Sequence, residues 1–318
     1  MIPSVLRRGA IPYARFFRWV ILAAIFVCLG RMVWENWNEV REASLTLSPF
    51  HLILSTIFSV FWYLIQIVAW YLITLRLVIA IPLLETLKSW YYSQLGKYLP
   101  GKVWLFLGRF YFYDSEGKSK KALTVALYFE TLTMIMAASL VFLFSLLFLR
   151  EVKPFYSGIS PMALIPVFVV AFLFLHPKVL ETLFNRILRY LKREPIALAI
   201  SYPEVLGILG VCVLSWVAGG IGFYFFVDGV FPVPPRYFLF LTGALAISST
   251  LGLVALFAPS GLGVREGVLV YLLSAMMPVP VAVILSVLTR LWMTFIEIGM
   301  IGVVYLMDQL RWKKRGKG

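Results

Sequence analysis

The chain has 318 residues, of which 61% are apolar and 14% charged, and its formal net charge is +14. Soluble globular chains carry about a quarter charged residues, and no polar stretch here is long enough to hold a large soluble enzyme domain. Apolar runs of about 20 residues recur instead, each able to cross about 30 Å of hydrocarbon, so the composition places the chain in a membrane.

The basic opening MIPSVLRRGAIPYARFFRWV lacks a small-residue cleavage site after its apolar stretch, so an uncleaved first span is expected over residues 17–34. A second covers residues 50–80. Residues 84–112, LLETLKSWYYSQLGKYLPGKVWLFLGRFY, carry charge throughout and break at Pro100-Gly101, which suits a segment that dips into the membrane and returns. Spans follow at 121–149, 158–175, 204–230 and 237–257. Residues 178–194, KVLETLFNRILRYLKRE, are basic and amphipathic and suit a helix lying on the membrane surface. A shorter apolar piece at 267–277 is expected to cross, followed by a last span at 279–306. The expected fold class is all-α: one polytopic transmembrane helical bundle over residues 1–318, with about eight spans and a re-entrant Pro-Gly segment.

Loop charge sets direction, because Lys and Arg accumulate on the cytoplasmic side. The N-terminus, residues 88–121, residues 178–193 and the tail RWKKRGKG are basic; residues 35–49, 150–157 and 228–236 are not. Both termini are therefore expected in the cytoplasm, with the bundle in the inner or plasma membrane of a cell. Attraction to anionic lipid accounts for the positive charge, and no basic segment carries a folded nucleic-acid recognition motif. Cys28, Cys212, His51 and His176 stand apart, so neither a disulfide framework nor a metal site nor a cofactor is expected, and the histidines read as interfacial packing residues. Asp228, at a span end, reads the same way. No nucleotide-binding, GxSxG or HExxH pattern occurs in a usable context.

Two interruptions stand out. Pro259 follows Pro100 by 159 positions, half the chain. Glu130 comes 30 residues after the first proline and Arg290 31 after the second, each inside an apolar span. The pattern predicts half-repeats near 1–160 and 161–318 related by inversion, an arrangement in which corresponding breaks mark a transport site. Proline removes a backbone donor and glycine admits conformations other residues avoid. An unpaired backbone group in hydrocarbon costs several kcal/mol, so a broken segment must be enclosed by protein or line a wet cavity. Gly96, Pro100 and Gly101 form the first break; Pro259, Gly261 and Gly263 form the second. Lys102 and Arg109 beside one, Arg265 and Glu266 beside the other, and the free N–H groups of the helices that follow suit a phosphate or another anion. The plainer alternative is that Pro and Gly only kink packed helices and the cations sit in loops.

Arg290 lies about 15 Å from either end of its span, where a charge costs about 2.5–3.5 kcal/mol. Thr294 and Glu297 follow on the same helical face. Glu130 and Thr133, with Thr124, make a weaker stripe. These are candidates for a polar path; the alternative is a buried ion pair, Arg290 with Glu130 or Glu297, that only orients helices.

The segments GKYLPGKVWLFLGR and APSGLGVREG, the second carrying Pro259, Gly261, Gly263, Arg265, Glu266 and Gly267, resemble those of the lysylphosphatidylglycerol synthase transmembrane-domain family of flippase-like membrane proteins. Ser260 stands where that family commonly has glycine. Synthase members carry a separate soluble aminoacyltransferase domain; this chain reaches Gly318 just after its last span, so the resemblance implies the membrane half alone and no enzyme activity. It implies a flippase-like transporter of a bacterial or archaeal cell membrane, moving an anionic lipid or a lipid-linked sugar, with a separate glycosyltransferase or lipid synthase as a partner. Two other classes stay open: an intramembrane polyprenyl-phosphate-dependent glycosyl- or phosphotransferase, for which Glu85, Asp114, Glu116 and Glu266 are scattered candidates, and a non-transporting accessory subunit of an envelope-lipid enzyme.

Overall fold

The computed structural model describes residues 37–42, 45–98, 103–147, 176–190, 200–255 and 261–315, with isolated positions between them. Pro100, Gly101, Lys102 and Pro259, and almost all of the spans expected at 17–34 and 158–175, lie outside the described residues. The described elements are α1 (Trp37–Glu42), α2 (Pro49–Arg76), α3 (Leu83–Gln94) running into a 3-10 turn (Leu95–Tyr98), α4 (Val103–Ser115), α5 (Lys120–Leu147), α6 (Pro177–Tyr190), α7 (Tyr202–Val230), a 3-10 turn (Pro235–Tyr237), α8 (Phe238–Val254), α9 (Val264–Leu273) and α10 (Val279–Arg315). Five are long and apolar enough to cross a membrane: α2, α5, α7, α8 with its 3-10 turn, and α10. They carry the spans expected near 50–80, 121–149, 204–230, 237–257 and 279–306. α6 has the one-sided apolar stripe of a surface helix.

Helix starts follow local chemistry. α7 opens with Ser201 and a proline in its first turn, and Glu204 reaches back to accept the Ser201 N–H at 2.8 Å. α2 opens with Ser48 followed by Pro49.

α2 and α7 form the centre of the bundle and run antiparallel. At one end Thr46 and Ser48 donate their N–H groups to the carbonyls of Val230 (2.9 Å) and Gly229 (3.0 Å). There His51 Nε2 also meets Asp228 Oδ2 at 3.2 Å, so two residues read as separate interfacial positions tie the two helices together. At the other end Arg76 Nη1 lies 2.8 Å from Glu204 Oε1. Between them the helices touch through small residues: a Cβ on Gly219 would sit 2.8 Å from the Trp62 ring, and one on Gly222 2.9 Å from Ser59 Oγ. Close backbone approach of this kind holds helices together where lipid offers no hydrophobic drive for association.

Each long helix of this pair is followed by a similar series: a helix (α3 with 12 residues, α8 with 17), a break, a short helix and a long helix. α3 and α4 fold back on each other, with Gly108 against the Ser93 backbone at a spacing that leaves a Cβ only 2.9 Å from Ser93 Cα. α9 likewise folds against the end of α8. The turn there has Gly261 at φ +69° and Gly263 at φ +83°. A Cβ on Gly261 would lie 2.5 Å from the Gly252 carbonyl oxygen. Residues 267–277, expected to cross, fall in α9 and the turn after it. This helix has ten residues and spans about 15 Å, half the hydrocarbon thickness. The second break therefore sits inside a helical hairpin, as the first does. Because α2 and α7 are antiparallel, the two hairpins start from opposite ends of the bundle.

The remaining long helices are tied to the centre by indoles. Trp216 Nε1 donates to the Met134 carbonyl (3.2 Å), joining α7 to α5, and Trp292 Nε1 to Ser55 Oγ (3.2 Å), joining α10 to α2. Lys88 bonds Glu85 at 3.0 Å and pairs with Asp308, joining α3 to α10.

A glycine pair tests the second hairpin. Gly261→Ala should lower the thermal unfolding temperature in detergent sharply, since the left-handed backbone alone costs about 1–3 kcal/mol before the clash with Gly252. Gly267→Ala, with nothing within 4 Å of the added carbon, should leave it unchanged or raise it slightly. Equal melting of the two variants would show that the turn at Gly261 is not as described.

Candidate functional site

The first break delivers Arg109 to the interior. It sits on α4, 3% exposed, with its guanidinium over the Trp70 ring at 4.2 Å and 5.9 Å from that of Trp90. Its Nη1 donates to the Glu130 carboxylate on α5, and Nε points to Ser93 Oγ at 3.4 Å. Trp70 is itself fixed by a 2.9 Å bond from its indole to the Tyr113 hydroxyl. The arginine expected to await an anion is thus already occupied, by a carboxylate and by aromatic faces that attract cations.

The second break delivers Glu266. It is 1% exposed. One carboxylate oxygen accepts the Gly263 N–H at 2.6 Å, and the other accepts Arg290 Nη1 at 2.6 Å. The first contact caps α9, since an acidic side chain answers both the free N–H groups and the positive end of a helix. The N-terminus of α9, expected to be open to a phosphate, therefore has its own carboxylate.

The two pairs correspond. Each joins the second short helix of a hairpin to the long helix after it, with the charges exchanged: Arg109 on α4 with Glu130 on α5, and Glu266 on α9 with Arg290 on α10. The alternative reading of the sequence pairs Arg290 with Glu130 or Glu297. Glu130 turns to Arg109 instead, because each hairpin returns beside the next long helix and places the nearest opposite charge within its own half. Of the stripe read around Glu130, Thr133 donates to the carbonyl of Phe129 and Thr124 to that of Lys120, both on their own helix.

Arg265 differs from both. It is half-buried, and its Nη2 lies 2.9 Å from Met293 Sδ. Among the described residues no carboxylate lies within ion-pair distance of it. Arg290, Glu266, Tyr63 and Glu297 surround it closely enough to act on its charge. Glu297, 1% exposed on α10, acts on Tyr91 as well. The structure thus brings Arg265, Glu266, Arg290 and Glu297 together, with Tyr63 from α2 and Tyr91 from α3.

Trp90 links the two clusters. Its ring lies 5.9 Å from Arg109, 5.4 Å from the Tyr91 ring and 5.9 Å from that of Tyr63. Gly96 is buried in the 3-10 turn just beyond. A groove of about 460 Å³ between α2, α7 and α10 is lined by apolar side chains such as Phe226, Leu291 and Phe295, and none of the expected site residues lines it.

A family model described as the lysylphosphatidylglycerol synthase TM region matches residues 19–300. The chain belongs to this family. Membership, together with five membrane-capable helices, makes it a multi-pass membrane protein with a lipid-related membrane region. A comparison with curated proteins gave no match. Both breaks and both ion pairs fall within the family region. The aromatic residues Tyr63, Trp70, Trp90 and Tyr91, and the sulfur of Met293, are additions that a reading of the sequence missed. The one available signal was spacing: Tyr63 and Trp70 are seven residues apart on α2 and share a helical face.

Glu266→Gln should lower stability by about 3–5 kcal/mol, because it removes the buried charge with which Arg290 forms its 2.6 Å pair. The double variant Glu266→Gln/Arg290→Met should recover most of that loss, read as unfolding temperature in detergent. A single variant that melts like the wild type would show that the pair does not hold α9 to α10.

Proposed function

We propose that this protein is a flippase-like transporter that moves a phosphate-bearing lipid or lipid-linked sugar between the leaflets of a cell membrane. The observation that carries this reading is Arg265: a half-buried guanidinium at a backbone break, with a methionine sulfur as its contact and no carboxylate at ion-pair distance among the described residues. A cation in that setting, beside a second guanidinium on Arg290, stabilises an arriving anion strongly, because water screens the interaction little. The phosphate binds Arg265, with Lys102 as a further contact at the first break, while the hydrocarbon chains stay in lipid. Glu297 and the two ion pairs, Arg109–Glu130 and Glu266–Arg290, line the route.

The arrangement of the helices supports alternating access. Antiparallel α2 and α7, hairpins entering from opposite ends and ion pairs with exchanged charges are what two inverted halves would produce. The breaks at Gly96, Pro100 and Gly101 and at Pro259, Gly261 and Gly263 let each hairpin turn within the membrane. α2, α5, α7 and α10 cross, and the basic loops place both termini in the cytoplasm. A separate glycosyltransferase or lipid synthase supplies or consumes the cargo. The sequence has no nucleotide-binding motif, so movement follows the lipid gradient or another coupled gradient.

Proteoliposomes with a fluorescent phosphate-bearing lipid, bleached from outside by dithionite, test this. Wild-type protein should expose inner-leaflet lipid. Arg265→Ala should slow exposure by about tenfold or more, the loss expected for one charged contact of about 1.5–3 kcal/mol, while Gly267→Ala should not. Equal rates for wild type and Arg265→Ala would refute the assignment.

A further inference from the structure

Buried polar atoms are almost always hydrogen-bonded. Three that lack a partner here occur together: Trp62 Nε1, Trp90 Nε1 and Tyr91 OH. All three residues are more than nine-tenths buried. They belong to one run of rings, with centroid separations of 5.3 Å for Trp62–Tyr63, 5.9 Å for Tyr63–Trp90 and 5.4 Å for Trp90–Tyr91. Tyr63 within the run and Tyr91 at its end are the residues on which the charges of Arg265 and Glu297 act.

The chemistry of the unmatched atoms restricts what fits them. An indole nitrogen only donates, and a phenol readily donates. An ammonium headgroup also only donates, so it leaves both indole N–H groups unmatched. A ring bearing several hydroxyls offers acceptor oxygens on its edge and an apolar C–H face to an aromatic plane. We infer that this cluster recognises a polyhydroxylated ring attached to the lipid phosphate, a glycosyl- or polyol-phosphate headgroup, with the phosphate on Arg265 and ring oxygens accepting from Trp62, Trp90 and Tyr91. The inference rests on the transport reading for its route of entry: the cluster is closed in this conformation, and the headgroup reaches it when the α3–α4 hairpin parts from α2.

Binding and transport are measured separately on the intact protein. In detergent, phosphatidylinositol should raise the unfolding temperature more than phosphatidic acid or phosphatidylethanolamine at equal concentration. Tyr91→Phe removes only the hydroxyl, and Trp90→Phe removes the N–H while keeping a ring. Each should weaken the phosphatidylinositol effect about fivefold, the worth of one hydrogen bond, and leave the phosphatidic acid effect unchanged. Neither loses a bond in the lipid-free protein, so lipid-free melting of Tyr91→Phe should match the wild type. Equal stabilisation by phosphatidylinositol and phosphatidic acid, or variants that weaken both alike, would overturn the headgroup assignment even if lipid transport is intact. A phosphatidylinositol preference that the variants abolish, in a protein that moves no lipid in liposomes, would sustain this assignment and refute transport.

Discussion

A charged side chain inside hydrocarbon has to find its opposite, and in this protein that demand is met twice in the same way. Glu266 accepts from both the Gly263 backbone and Arg290, so one carboxylate caps a helix that begins inside the membrane and attaches it to the longest helix of the bundle. Arg109 and Glu130 attach the other hairpin to α5. Without these pairs, a chain interrupted at depth would expose both backbone and charge to lipid.

The pairs also explain the tolerance for broken helices. A hairpin of two short helices buries little surface of its own. Here each is held by one ion pair, by close glycine contacts such as Gly108 on Ser93 and Gly261 on Gly252, and by neighbours from the other half. The central α2–α7 pair supplies the frame, tied at one end by His51 and Asp228 and at the other by Arg76 and Glu204. Its antiparallel direction sends the two hairpins in from opposite ends, so whatever opens one end of the bundle has a counterpart at the other.

Within that frame the cations have different employment. Arg109 is enclosed by Trp70, Trp90, Ser93 and Glu130 and serves the fold. Arg265 meets the Met293 sulfur and is the cation to which the proposed function assigns the anion. The aromatic run from Trp62 to Tyr91 lies between them, with donors that no group among the described residues accepts. Arg109 and Arg265, with these different surroundings, both lie in the family region.

The residue string alone determined the membrane class, the positions of the five described long helices and the break before α9. Those features follow from hydrocarbon thickness and from what proline and glycine do to a backbone, both of which act locally along the chain. Glu130 and Arg290 were also visible, because charge in an apolar run is rare. Tertiary structure decided the rest: that Glu130 meets Arg109 and not Arg290, that Glu266 caps the helix it begins, that α9 folds back instead of crossing alone, and that His51 finds Asp228. A side chain's type is written in the sequence, but its partner depends on which helix faces meet, and residues far apart in the chain become neighbours only when glycines such as Gly219 and Gly261 let two backbones close to contact.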